Sequence, residues 1–137
     1  MIKEYNFKFD ELIIHEEEIS SVLGYGDGPL PEPFNEYVKM ALYDAKYMTD
    51  IRCAYTILDD VKIDYKRYRL LAGDQEFNLG KAVCNELSGA ERLAFYVCTA
   101  GNTISAKSAS LLQGNDPVLG YVYDILGSII TEAASDR

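Results

Sequence analysis

Residues 92–105, RLAFYVCTAGNTIS, decide how the chain is read. Leu93, Ala94, Phe95, Tyr96, Val97 and Cys98 form a nearly continuous apolar run, the pattern of a strand covered on both faces. Thr99, Ala100, Gly101 and Asn102 end it. A glycine at that point permits positive φ and lets another segment or a ligand approach closely. Asn102 or Thr103 then caps a helix, because either side-chain oxygen can accept from its free N–H groups. The stretch predicts a central strand, a small-residue turn and a helix start.

Downstream, residues 104–112 read as that helix, ended by Gln113-Gly114. Asn115-Asp116-Pro117 is a strong start signal, with Asp116 as cap and Pro117 at the first helical position. The final helix runs from there to about Ser135. Val118, Val122, Ile125, Ile129 and Ala133 make one apolar stripe, widened by Leu119, Leu126 and Ile130. The other side is small and partly polar: Gly120, Asp124, Gly127, Ser128, Thr131 and Ser135. Glycine inside a helix costs about 1 kcal/mol against alanine. Two on one side imply close packing there, by a neighbouring helix of the same fold ahead of a second subunit or a ligand.

Upstream, Tyr5 and Phe7, two apart, predict an edge strand with one buried face. Residues 15–22 predict a short helix with Ile19, Val22 and Leu23 inward. The glycines and prolines of residues 24–33 make a loop. Residues 34–49 are a helix, since Phe34, Tyr37, Val38, Ala41, Leu42, Ala45 and Met48 step by three and four. Residues 51–58 are strand-like. Residues 61–71 continue in alternation, Ala72-Gly73-Asp74 turns, and residues 75–79 return, which gives an antiparallel meander. Residues 80–87 form a short helix with Ala82, Val83 and Leu87 inward, stopped by Ser88-Gly89-Ala90.

The chain has 137 residues, 48% hydrophobic and 26% charged, which fits one globular domain over 1–137. A net charge of −9 repels phosphate backbones and anionic membrane surfaces, so the expectation is no nucleic acid and no membrane. No apolar run approaches the roughly 18 residues of a membrane span. Cys53, Cys84 and Cys98 lie far apart, with no CxxC pair and no signal-like N-terminus. The expected setting is a cytoplasmic protein with reduced thiols.

The candidate chemistry is sparse. The lone His15, in HEEE, supports neither a histidine metal site nor a triad and reads as solvated surface. Cys98, at a strand end before a glycine turn, has only Lys107 as a nearby cation in sequence, so a buried structural cysteine is favoured over a nucleophile. Thr99 and Gly101 either line a ligand or serve turn chemistry alone. The GYGDG run at 24–28 lacks the flanking strand, helix and lysine of a phosphate loop. Tyr65-Lys66-Arg67-Tyr68-Arg69 is the one basic-aromatic cluster. It either stacks on a flat ligand or nucleic acid or, as preferred in an acidic chain, is an exposed strand face that balances local charge. Asp124 and Glu132 either contact an amine or hydroxyl of a ligand or are solvated.

Three segments, LAFYVCTAG at 93–101, the helix beginning TIS at 103 and DILGSIITEAASD at 124–136, together resemble one family. It is the activation (reactivation) domain of cobalamin-dependent methionine synthase, above all its shorter, free-standing bacterial forms. Asp124, Gly127, Ser128 and Glu132 match the family's Asp-x-x-Gly-Ser-x-x-x-Glu pattern. LGYG at 23–26, the helix from Phe34, DIRCAYTI at 50–57 and FNLGKAVCNELSGAERL at 77–93 follow in the family's order. The resemblance implies an α+β fold, a twisted antiparallel sheet with flanking helices. It also implies S-adenosylmethionine binding and docking onto a corrinoid-carrying module of methionine synthase, so that cobalamin enters only through a partner. There the spent cobalt cofactor is reduced and remethylated, the domain positioning the methyl donor. Asp50 is the positional match for the family's ligand-contacting aspartate.

Family members continue into an Arg/Gly/Tyr segment that builds much of the S-adenosylmethionine site. The sequence ends at Asp136-Arg137 without it, so the expected fold is the family's N-terminal part, truncated. The open small face of helix 117–135 is then expected to pair in a homodimer. The expected ligand residues are Asp50, Thr99, Gly101, Asp124 and Glu132, with no catalytic or metal residues. The function expected first is an accessory domain for reductive methylation of the synthase. A small-molecule-binding domain and a self-associating scaffold follow. An independent enzyme comes last, because no catalytic constellation is present.

Overall fold

Asp116 and Pro117 begin the longest helix as their chemistry dictates: the Asp116 carboxylate accepts from the Leu119 N–H at 3.1 Å, and proline occupies the first turn, where an N–H has no partner to lose. The computed structural model describes residues 1–137. In chain order they form β1 (Lys3–Phe7), a single 3-10 turn, α1 (Glu16–Val22), α2 (Phe34–Met48), β2 (Ile51–Leu58), β3 (Val61–Asp64), β4 (Arg69–Ala72) and β5 (Gln75–Asn78). Then come α3 (Gly80–Glu86), β6 (Leu93–Thr99), α4 (Asn102–Gln113) and α5 (Pro117–Ser135). This is a mixed α+β chain with two small antiparallel sheets, ordered β1-β2-β6 and β3-β4-β5. It divides into two compact units: Met1–Lys3 with Tyr55–Tyr96, and Glu4–Ala54 with Val97–Arg137.

The larger unit is built around α5. Leu119, Val122, Tyr123, Leu126, Ile130 and Ala134 are buried, against Ile19 of α1, Val38, Ala41 and Ala45 of α2, Ile51 of β2 and Ile104 of α4. Each fully buried Leu, Ile or Val adds about 1.5–3 kcal/mol of burial free energy, so α5 is the main apolar contributor. The predicted stripes of α2 and α5 turn inward, except for Val118 in the first turn of α5, which is exposed. Of the residues predicted inward in α1, Ile19 is buried, Leu23 half-buried and Val22 exposed, while Ser20 is buried beside Ile19.

The close packing predicted for the small side of α5 is met by α4. A Cβ at Gly120 would lie 2.8 Å from the Leu112 nitrogen and 2.9 Å from the Ser108 carbonyl oxygen. The buried Ser108 hydroxyl donates to the Gly120 carbonyl at 2.7 Å, sealing the approach. Gly127 is looser: the nearest atom to its Cβ position is Ile104 Cγ2 at 3.8 Å.

The smaller unit carries the meander. β3 pairs with β4 from Val61↔Ala72 to Asp64↔Arg69, and β4 with β5 from Arg69↔Asn78 to Ala72↔Gln75. The stretch read as one strand over 61–71 breaks at Tyr65. Asp64 Oδ1 accepts from the N–H groups of Lys66 (3.0 Å) and Arg67 (3.2 Å), and Tyr68 sits at φ 54°. A side-chain acceptor that closes a turn outweighs apolar alternation here. Residues 65–68 of the basic-aromatic cluster are therefore a hairpin turn and not a strand face, and Arg69 opens β4. Arg67 and Arg69 both converge on Glu76, at 3.7 and 3.1 Å, so the local charge balance holds. In α3 the buried residue is Cys84; Ala82 and Val83 face outward and Leu87 is half-buried.

The strand that anchored the sequence reading is not central. β2 holds the middle of the first sheet and β6 an edge. Tyr96 and Val97 of β6 are 69% and 67% exposed, so the strand is not covered on both faces. An apolar run does not distinguish two-sided burial from an aromatic edge strand whose hydroxyl stays wet.

Gly120→Ala is expected to destabilise the chain by about 1–3 kcal/mol through overpacking against backbone atoms. Gly127→Ala is expected to be neutral or stabilising by up to about 1 kcal/mol. Urea unfolding of both variants checks this; equal midpoints would contradict the close α4–α5 approach.

Candidate functional site

The turn after β6 is built by three local devices. Gly101 has φ +91°, and a Cβ there would meet the Asp50 nitrogen at 2.9 Å. The Asp50 N–H donates to the Ala100 carbonyl at 2.9 Å, which ties the start of β2 to this turn. Thr99 Oγ1 accepts from the Gly101 N–H at 3.0 Å. Gly101 is itself the N-cap of α4, with no side-chain cap. The predicted caps, Asn102 and Thr103, are instead the first helical residues, because the Thr99 hydroxyl and the glycine conformation already shape the turn.

α4 and α5, tight at Gly120, are farther apart at Gly127, and a cavity of about 420 Å³ lies there. The turn contributes Cys98, Thr99, Ala100 and Gly101 to its wall. α4 contributes Ile104 and Ser105. α5 contributes Asp124, Gly127, Ser128, Thr131 and Glu132, at helical spacings that put them on one face, with Tyr123 beside them. Asp124 and Glu132 are eight residues apart, about 12 Å along the axis. Neither forms an ion pair, and no Lys, Arg or His lines the wall.

Four of the five residues expected from the sequence therefore meet: Thr99, Gly101, Asp124 and Glu132. Asp50 stands beside them through its backbone, outside the wall, and its exposed carboxylate pairs with Arg52 at 3.3 Å. The sequence pattern marks Thr131 only as part of the small side of α5, and it does not mark Ser105 or Tyr123. A tyrosine inside an apolar helical stripe is itself a signal, since a buried phenol needs a hydrogen-bond partner. Its hydroxyl donates to Asp44 Oδ2 of α2 at 2.8 Å. Seven residues earlier on both helices, Tyr37 of α2 donates to Asp116 Oδ2 at 2.5 Å, the same carboxylate that caps α5. Cys98 is half-buried rather than fully buried. His15 borders a separate hollow of about 490 Å³ that Glu132 also touches.

Burial, and then the Asp44 carboxylate, raise the Tyr123 pKa above its ordinary 10.0; the Asp116 hydrogen bond, and then desolvation, raise that of Tyr37. No cluster of three or more His, Cys, Asp or Glu is placed to hold a metal ion, and no helix is long and apolar enough to cross a membrane. No protein-family model matches the chain, and no curated protein matches it in sequence.

The raised tyrosine pKa values give a signed expectation. The folded state keeps phenol protons that the unfolded state has lost, so this stability is fully present below pH 10.0 and is lost as pH rises beyond it. Tyr123→Phe is expected to cost about 1–2 kcal/mol near neutrality. Combined with Tyr37→Phe, it should flatten the loss of stability between about pH 9 and about pH 11. Urea midpoints across that range check it; an unchanged slope would contradict it.

Proposed function

We propose that this chain is a non-catalytic accessory domain of the methionine synthase activation type, which holds S-adenosylmethionine and docks onto a corrinoid-carrying module. The observation that carries the reading is the meeting of Thr99, Gly101, Asp124 and Glu132 around one cavity whose carboxylates have no cationic partner. A wall of that kind favours a ligand with positive charge and hydrogen-bond donors. S-adenosylmethionine offers a sulfonium, an ammonium and ribose hydroxyls. Its carboxylate suits the start of α4, where Gly101 leaves the first N–H groups without a side-chain cap. The resemblance in motif order supplies the rest: the activation-domain fold, the corrinoid partner and the cobalamin that partner carries.

The site itself performs no chemistry in this reading. It orients a methyl donor, and the partner's cofactor accepts the methyl group. Self-association through α5 is the weaker reading, because nine of its nineteen residues are already buried, with α4 seated on Gly120.

Calorimetric titration with S-adenosylmethionine into the millimolar range tests the proposal. Saturable heat is expected. Asp124→Asn with Glu132→Gln should weaken it at least about tenfold, and S-adenosylhomocysteine, which lacks the sulfonium charge, should bind at least about tenfold more weakly. Asp50→Ala should change affinity less than either. Absence of heat, or equal affinity for the two nucleosides, would sink the reading.

A further inference from the structure

Two of the three cysteines meet. Cys53 on β2 and Cys98 on β6 belong to strands adjacent in the first sheet, and both border one hollow of the larger unit. The Cys53 thiol also donates to the Ala134 carbonyl of α5 at 3.8 Å. Opposed residues on neighbouring antiparallel strands have Cβ atoms about 4.5–5.5 Å apart, against the roughly 3.5–4.5 Å of a disulfide. Cys84 belongs to the other unit and is fully buried.

The pair is also reachable. Cys53 and Cys98 both line a second cavity, about 240 Å³, with Glu4, Asn6, Arg52 and Val97. Cys98 alone also faces the larger cavity described above. Burial, and then the neighbouring Cys98, push the Cys53 pKa up to about 12, so its thiol stays protonated at neutral pH. Cys98, open on two sides, is the thiol that an external disulfide meets first.

We propose that Cys53 and Cys98 are a reversible redox-modification site that closes to an intramolecular disulfide by exchange with a small-molecule disulfide of the glutathione type. The Cys98 thiolate attacks one sulfur of the external disulfide, whose S–S bond breaks and releases one small thiolate. The mixed disulfide on Cys98 is then attacked by Cys53, which forms the Cys53–Cys98 bond and expels the second small thiolate. The two cysteine protons end on the two released thiols. The external disulfide is reduced by two electrons and the cysteine pair oxidised by two.

This inference stands apart from the ligand reading, because its readout is the covalent bond and not occupancy of the cavity. The full chain is incubated with oxidised glutathione, quenched with iodoacetamide and mapped by mass spectrometry. The expected product has lost two hydrogens, carries a Cys53–Cys98 link and has Cys84 alone free to alkylate once unfolded. Cys53→Ser should instead trap a lasting glutathione adduct on Cys98, and Cys98→Ser should leave Cys53 unmodified. A lasting adduct on the unsubstituted chain, a bond that joins two chains or one that involves Cys84 would overturn the proposal. Should either serine variant fail to fold, the map of the unsubstituted chain still decides.

Discussion

The close approach of α4 to α5 at Gly120 is the contact on which the larger unit depends. Any side chain there would strike backbone atoms of α4, and the Ser108 hydroxyl bound to the Gly120 carbonyl holds the two helices at that distance. The hairpin is thereby pinned at the end near its connecting loop. Farther along, Gly127 meets only the tip of Ile104, and the space between the helices widens into the main cavity. The two glycines do opposite things on one helix: the first brings backbones together, and the second leaves room.

A second set of interactions fixes α2 against the same helix. Tyr37 donates to Asp116, and Tyr123 donates to Asp44, seven residues on in both helices and with donor and acceptor exchanged. Tyr123 is buried and Tyr37 half-buried, and a carboxylate beside each phenol satisfies a polar group that a core would otherwise penalise. Tyr123 is a wall residue of the cavity as well, so the bond to Asp44 sets both packing and site. Asp116 caps α5 and takes the Tyr37 bond through its two oxygens, which joins the start of the helix to its neighbour.

Much of this was legible in the residues. The Asp116-Pro117 start, the apolar periods of α2 and α5 and the β4–β5 hairpin around Gly73 follow from spacing and turn chemistry. The Asp124, Gly127, Ser128 and Glu132 spacing marks one helical face, and that face lines the cavity. What failed did so for local reasons. β6 looked central because its apolar run hides the fact that Tyr96 and Val97 face solvent. The Asp64 side chain broke a strand that alternation alone would have continued. That Cys53 and Cys98 border one cavity depends on which strands are neighbours, and no local pattern encodes that.

The cavity joins these elements to chemistry: a glycine turn tied to Asp50, hydroxyl-bearing helix faces and two carboxylates without cations. Its use as a ligand site is the central claim. The most direct measurement is amide chemical-shift mapping of the labelled chain during titration with S-adenosylmethionine. The account predicts saturable shifts concentrated at residues 98–105 and 123–132, with the meander at residues 61–78 unmoved. Shifts centred on the meander, or scattered without saturation, would contradict it.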